Sequence, residues 1–198
     1  MIAVSKLVEY LLERLSSFVI ILLSLTCAVL AVLLFYVTVP HLDPSGPTDK
    51  ASTIVTNIID GSTADVAVYV QIDLQTNSRK FIANAQKDAG DQQLVDMFKE
   101  LAERTKFTVG TNPQFVYSLI SGNVICQDRA SMSPFVLRII SANADKYTNP
   151  KICTVPVLNG AHVLVGYVSV VWRSTPSAEL ELATIIQIQS EVGVNSRR

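Results

Sequence analysis

The longest apolar run in the chain is Phe18–Val39, which holds 22 residues and no charged side chain. At about 1.5 Å per residue, a helix of this length spans about 33 Å, enough to cross a hydrocarbon core of about 30 Å. A helix is favoured because it satisfies its own backbone hydrogen bonds, which lipid cannot do. The run predicts one transmembrane helix at 18–39, and the alternative is a buried core helix.

Residues 1–17 carry apolar side chains at helical spacing, which predicts a cytoplasmic amphipathic helix. This helix either lies in the headgroup layer or projects from the membrane as a continuation of the span. Lys6 and Arg14 precede the span, whereas only Lys50 follows it closely. This bias of basic residues places the N-terminus in the cytoplasm.

Residues 40–61 predict a proline-containing linker and a short helix over 49–60, which Gly61 ends. Residues 65–73 alternate apolar and polar side chains, the pattern of a half-buried strand. Arg79–Ala85 follows a turn as a second strand, so the pair is expected to form a hairpin.

In the middle of the chain, Asp91 is expected to cap a helix that runs to about Lys106. Phe115–Ile120 predicts a third strand, which Val124–Cys126 continues after a turn. Ser133-Pro134 is typical of a helix start, with a cap and then proline at the first helical position.

The last third predicts a hairpin and a helix. Asn159-Gly160 separates two apolar runs and predicts a tight turn in which both residues take positive φ. Thr175 is a plausible cap for a final helix that ends near Val192. The inward positions expected on this helix are Leu180, Ala183, Ile186 and Ile188.

The order of elements after the span is α-β-β-α-β-α-β-β-α. Two hairpins joined by helical connections predict an α+β domain over 62–198, with an antiparallel sheet of about five strands packed with helices. This is a profilin-like, GAF-like or PAS-like layout, and by itself it implies no function.

Composition and charge argue against several classes of function. The net charge is −1 and the basic residues are scattered, which argues against nucleic-acid binding. The sequence contains no catalytic or metal-binding motif, and His41 and His162 read as surface residues. We therefore expect no enzyme, no cofactor and no metal.

Small side chains and cysteines are the remaining candidate sites. Within the span, a small-residue face favours contact between helices, and it consists of Ser24, Cys27, Ala28 and Ala31. Cys126 and Cys153 lie near the ends of predicted strands. In a periplasmic domain they form either a disulfide or two buried free thiols.

Several stretches resemble the holin of T-even type bacteriophages. They are Ser62–Tyr69, Cys153-x-x-Pro156, Gly166-x-Val168-Ser169-Val170-x-Trp172 and the terminal Arg197-Arg198. The chain departs from that family in its shorter N-terminal tail. It also has Ile185 and Ile186 where the family carries a cysteine in the last helix. In such a holin, Cys126 would have to pair with Cys153.

The resemblance implies a single-pass protein of the host inner membrane with a periplasmic C-terminal domain. Such a holin oligomerises into lesions that release the endolysin, and an antiholin bound in the periplasm delays this step. The implied partners are the lipid bilayer, further copies of the chain and the antiholin. The alternatives are a membrane-anchored structural or assembly protein and an extracytoplasmic sensor-like binding domain.

Overall fold

A computed structural model describes residues 26, 27, 29, 30, 50–104, 106, 107 and 112–195. The helices among these residues are α1 Ala51–Gly61, α2 Gln92–Arg104, α3 Pro113–Ile120, α4 Pro134–Ala142 and α5 Ala178–Asn195. The strands are β1 Val66–Asp73, β2 Ser78–Gln86, β3 Ile125–Asp128, β4 Lys151–Leu158 and β5 Leu164–Trp172.

The five strands form one sheet in the order β2-β1-β5-β4-β3, and every neighbouring pair is antiparallel. Both predicted hairpins are present, and β5 runs through the centre with all nine residues buried. The predicted α+β fold with a five-stranded antiparallel sheet is therefore confirmed.

The alternation along β1 divides the core between the two faces of the sheet. Ala67 and Tyr69 pack with residues of α1 and α5, and we call this side the α5 face. Val66 and Val68 pack with residues of α2 and α4, while Val70 packs beside α3. We call this second side the α2 face. Helices thus cover the sheet on both sides.

The predicted third strand is wrong, because Phe115–Ile120 is helical and belongs to α3. Asn112 caps this helix by accepting a hydrogen bond from the Phe115 amide at 3.2 Å, and Pro113 occupies the first helical turn. This start signal outweighs the strand preference of the aromatic and β-branched residues that follow. The third strand is instead β3, which begins at Ile125.

The prediction of which side of α5 packs against the sheet is largely wrong. Leu180, Ala183 and Ile186 are exposed, whereas Ile188 is fully buried as predicted. The buried positions are Thr184, Ile188 and Val192, at a spacing of four residues. Since apolar side chains lie all round this helix, its sequence does not single out one face.

The turn between β4 and β5 also differs from the prediction. It spans residues 159–163, and its positive φ falls on His162, at 59°, rather than on Asn159 or Gly160. The Asn159 side chain accepts hydrogen bonds from the amides of Ala161 and Val163, both at 3.0 Å. These bonds stabilise a five-residue loop in place of the two-residue turn.

Most of the predicted N-terminal elements lie outside the described residues. This applies to the helix at 1–17, to the linker before residue 50, and to Ser24, Ala28 and Ala31. Of the span at 18–39, only residues 26, 27, 29 and 30 are described; they are helical, and Cys27 is a free, exposed cysteine.

Among the described residues, no helix combines the length and the apolar character that crossing a membrane requires. This finding contradicts the predicted single-pass location in the host inner membrane.

Candidate functional site

A buried carboxylate, that of Asp91, lies at the end of the sheet where β1 begins and β5 ends. Asp91 is 1% exposed and lies in a 3-10 turn, Ala89–Asp91, just before α2. The Tyr147 hydroxyl donates to its Oδ1 at 2.6 Å, and the Arg173 guanidinium donates to its Oδ2 at 2.6 Å. The side chain predicted to cap a helix therefore neutralises a cation, and Asp88 caps the turn instead.

Further contacts of Arg173 extend this cluster. Its guanidinium donates to Asp88 at 2.9 Å, and its backbone amide donates to the Asp65 carboxylate at 2.8 Å. The pKa of Asp88 is lowered to about 2, first by the hydrogen bond from the Gly90 amide and then by Arg173 and Lys146. Because each of these carboxylates accepts a hydrogen bond from within the chain, the cluster reads as a structural tie between loops rather than an open site.

Tyr147 stays protonated within this tie. Burial raises the pKa of its hydroxyl, and the hydrogen bond to Asp91 raises it further. The phenol therefore acts as a donor to the buried carboxylate across the neutral range.

A second polar pair, Arg79 and Tyr167, lies on the α2 face at the opposite end of the sheet. The Arg79 side chain hydrogen-bonds Tyr167, whose pKa is raised by burial and lowered in part by this guanidinium. Tyr167 is 5% exposed, and Arg79 is half-buried. Tyr167 belongs to a cluster of buried apolar side chains, and its other members are Val70, Ile72, Ala102, Phe107, Val116, Leu119 and Leu164.

The short helix α3 forms the outer wall over this pair. Phe115 meets the Tyr167 ring edge-on, with ring centroids 6.0 Å apart and planes at 87°. Val116 and Leu119 pack inward, whereas Tyr117 and Ile120 point to solvent, 60% and 47% exposed. An aromatic ring beside a half-buried cation combines the apolar and polar groups that small-molecule sites use.

The cysteines in the sheet are on the other side. Cys126 and Cys153 are directly paired across β3 and β4, with their Sγ atoms joined at 2.04 Å. Cys153 belongs to the core of the α5 face. Glu181 of α5 places Oε1 3.8 Å from the Cys153 Sγ, and its Oε2 pairs with Lys151. The structure thus brings together two predicted cysteines and an unpredicted carboxylate.

Arg79 and Tyr167 were not singled out from the sequence. The available signal was the alternation of β2, which places Arg79 on the same side as Phe81 rather than with the outward-facing Lys80. A charged residue at an inward position of a strand needs a partner. That partner, Tyr167, lies far away in the sequence, on a strand that pairs with β1.

Neither a family model nor a curated protein matches the sequence. The fold is similar to solved GAF domains. One is the GAF domain/HD domain protein of Geobacter sulfurreducens, at a TM-score of 0.55 and 12% identity, which covers 78% of this chain and 94% of that one. Another is the phycoerythrobilin-bound GAF domain of a cyanobacterial phytochrome, at a TM-score of 0.51 and 13% identity, covering 77% and 86%. A third is a GAF domain of Synechocystis in its photoproduct state, at 0.50 and 14%, covering 72% and 87%. The chain therefore has a GAF-like fold.

These similarities correct the predicted function. The holin reading, with its host-cell lysis and transmembrane lesions, is wrong, since the fold is that of GAF domains. The findings agree better with the alternative of a sensor-like binding domain. The resemblance to T-even holins, and the antiholin, bilayer and self-association expected from it, stay predictions.

Proposed function

We propose that this chain is a sensor-like binding domain that takes up a small organic ligand on the α2 face, at Arg79 and Tyr167. The observation that carries the proposal is the GAF-like fold: five antiparallel strands in the order β2-β1-β5-β4-β3, with α2, α3 and α4 over one face. One solved GAF domain of this fold holds phycoerythrobilin.

The side chains of the proposed site define the chemistry of the ligand. Arg79 offers a guanidinium, which binds carboxylates and other anions by charge-assisted hydrogen bonds. Phe115, Val116 and Leu119 offer an apolar wall that favours a ring system. We infer a planar, largely apolar molecule with one anionic group, oriented with the anion toward Arg79.

Binding without catalysis is part of the proposal. Burial raises the pKa of Tyr167, so its hydroxyl stays protonated at neutral pH. A general base needs a pKa near the working pH, and burial moves the pKa of Tyr167 away from it.

The test uses anilinonaphthalene sulfonate, a fluorescent probe with apolar rings and one anionic group. Arg79→Gln should weaken its binding about tenfold or more, since a hydrogen bond to a charged group contributes about 1.5–3 kcal/mol. Lys80→Gln is the matched control, because Lys80 is exposed and follows Arg79 on the opposite side of β2. This control should leave the probe's affinity unchanged.

Folding of each variant is checked by the fluorescence of Trp172, the only tryptophan in the chain. Equal affinities in the folded Arg79→Gln and Lys80→Gln variants would contradict the proposed site. A stronger effect of Lys80→Gln would move the site to the other face of the sheet.

A further inference from the structure

We propose that Cys126, Cys153 and Glu181 form a redox-gated site for a thiophilic divalent cation such as Zn²⁺. The site lies on the α5 face, on the opposite side of the sheet from the proposed ligand site. It accepts metal only when the two cysteines are reduced, and it is independent of the proposed binding function.

The three ligand atoms are already close together. The two Sγ atoms and a carboxylate oxygen of Glu181 all lie within 4.8 Å of one another. In a tetrahedral zinc site, bonds of about 2.3 Å to sulfur and about 2.1 Å to oxygen place these ligand atoms about 3.6–3.8 Å apart. The separation between the Cys153 Sγ and the Glu181 Oε1 is 3.8 Å, which already suits two zinc ligands, whereas the two bonded sulfurs have to move apart.

The sheet keeps the two thiols adjacent after reduction. Cys126 pairs with Cys153 in the middle of a four-residue ladder, between the pairs Ile125–Thr154 and Gln127–Ile152. Backbone pairing therefore fixes the two Cα positions whether or not the sulfurs are bonded. Reduction leaves each thiol free to rotate about its Cα–Cβ bond, which moves the two sulfurs apart.

Lys151 positions the carboxylate. It pairs with Oε2 of Glu181, and Oε1 faces the Cys153 sulfur. Both side chains are mostly buried, 19% and 18% exposed, so the pair holds one oxygen aimed at the sulfurs. In metal sites, a neighbour that pairs with one oxygen of a ligating carboxylate orients the other oxygen toward the metal in this way. Three protein ligands leave the fourth tetrahedral position to water.

The site forms in two steps, reduction of the disulfide and binding of the cation. A dithiol reductant gives two electrons and two protons to the Cys126–Cys153 bond and is itself oxidised to a disulfide. The S–S bond breaks and each sulfur gains one proton. The divalent cation then displaces both protons, which are released to solvent, and it binds two thiolates and one carboxylate oxygen.

The test titrates Co²⁺ and Zn²⁺ into the full chain carrying Cys27→Ser, which removes the third cysteine. The protein is reduced with a phosphine, which is oxidised to its oxide by an oxygen atom from water and leaves no competing thiol. The reduced protein should bind one Co²⁺ per chain with a thiolate-to-cobalt charge-transfer band, and Zn²⁺ should displace it. The oxidised protein should show neither binding nor band.

Variants assign the ligands. Cys126→Ser or Cys153→Ser should abolish the band. Glu181→Gln should weaken Zn²⁺ binding about tenfold or more, since losing an orienting neighbour alone costs about 10–100-fold. Glu179→Gln, an exposed carboxylate on the same helix, is the control and should bind as the parent does.

Three results would overturn the proposal, and each is measured with Cys126 and Cys153 intact. They are a reduced protein without the charge-transfer band, equal metal affinity in the oxidised and reduced forms, and equal affinity in the Glu181→Gln and Glu179→Gln variants.

Discussion

The guanidinium of Arg173 lies 2.6 Å from the Asp91 carboxylate, whose side chain has no exposed surface. Arg173 follows the last residue of β5, and Asp91 precedes the first residue of α2. The contact therefore joins the central strand of the sheet to the helix that covers one face. A buried carboxylate of this kind is tolerated only while its partners remain.

Removing Arg173 should destabilise the fold strongly. Arg173→Gln is expected to lower the free energy of unfolding by about 3 kcal/mol, because it leaves Asp91 as an unpaired buried charge. Asp91→Asn should restore part of this loss, so the double variant should be less destabilised than the sum of the two single variants by about 1 kcal/mol or more. Urea unfolding followed by far-ultraviolet circular dichroism measures all three values. Strictly additive losses would show that the two side chains are not energetically coupled.

Asp88 should make stability depend on pH in a defined window. Its folded-state pKa of about 2 lies below the ordinary aspartate value, so its contribution is present at neutral pH. That contribution is lost as the pH falls below about 4 toward 2. The urea midpoint of Asp88→Asn should therefore lie below that of the parent at pH 7, and the two should converge over this range.

The matched control for Asp88 is Glu103→Gln, an exposed carboxylate in α2. Its midpoint should stay close to that of the parent at each pH. A difference between Asp88→Asn and the parent that stays constant from pH 7 to pH 3 would contradict the assignment.

The rotation of α5 is tested by two isoleucines that are two positions apart. Ile188 is fully buried, so Ile188→Ala should cost about 2–5 kcal/mol. Ile186 is 55% exposed, so Ile186→Ala should change stability by no more than about 0.5 kcal/mol. Thermal and urea unfolding compare the two variants directly. A loss for Ile186→Ala as large as that for Ile188→Ala would support the helix face that the sequence pattern suggested.

The sheet was largely predictable because its signals are local. The alternation over 65–73 and the apolar run 161–172 predicted two of its strands, observed at 66–73 and 164–172, and with their neighbours both hairpins. The failures have specific causes. At Phe115–Ile120, side-chain preference pointed to a strand while the cap at Asn112 specified a helix. In α5, apolar residues on every side left the choice of face to tertiary packing.

The candidate ligand site was not predictable in the same way. Arg79 and Tyr167 lie on strands that are separated by β1, so no sequence spacing relates them. Their meeting depends on the pairing of β1 with both β2 and β5. The holin reading failed because it took function from short matches such as Cys153-x-x-Pro156, which describe local sequence only. The GAF-like layout was already predicted from the order of elements, but a layout by itself implies no function.

The proposed ligand site on the α2 face is tested most directly by nuclear magnetic resonance. The isotopically labelled chain is titrated with anilinonaphthalene sulfonate, and the backbone amide chemical shifts are followed. We predict shifts concentrated at Arg79, Tyr167 and α3, with α5 unaffected, and their loss in Arg79→Gln but not in Lys80→Gln. The competing surface is the exposed apolar side of α5, at Leu182 and Ile186. Shifts confined to α5, with Arg79 and Tyr167 unmoved, would contradict the account.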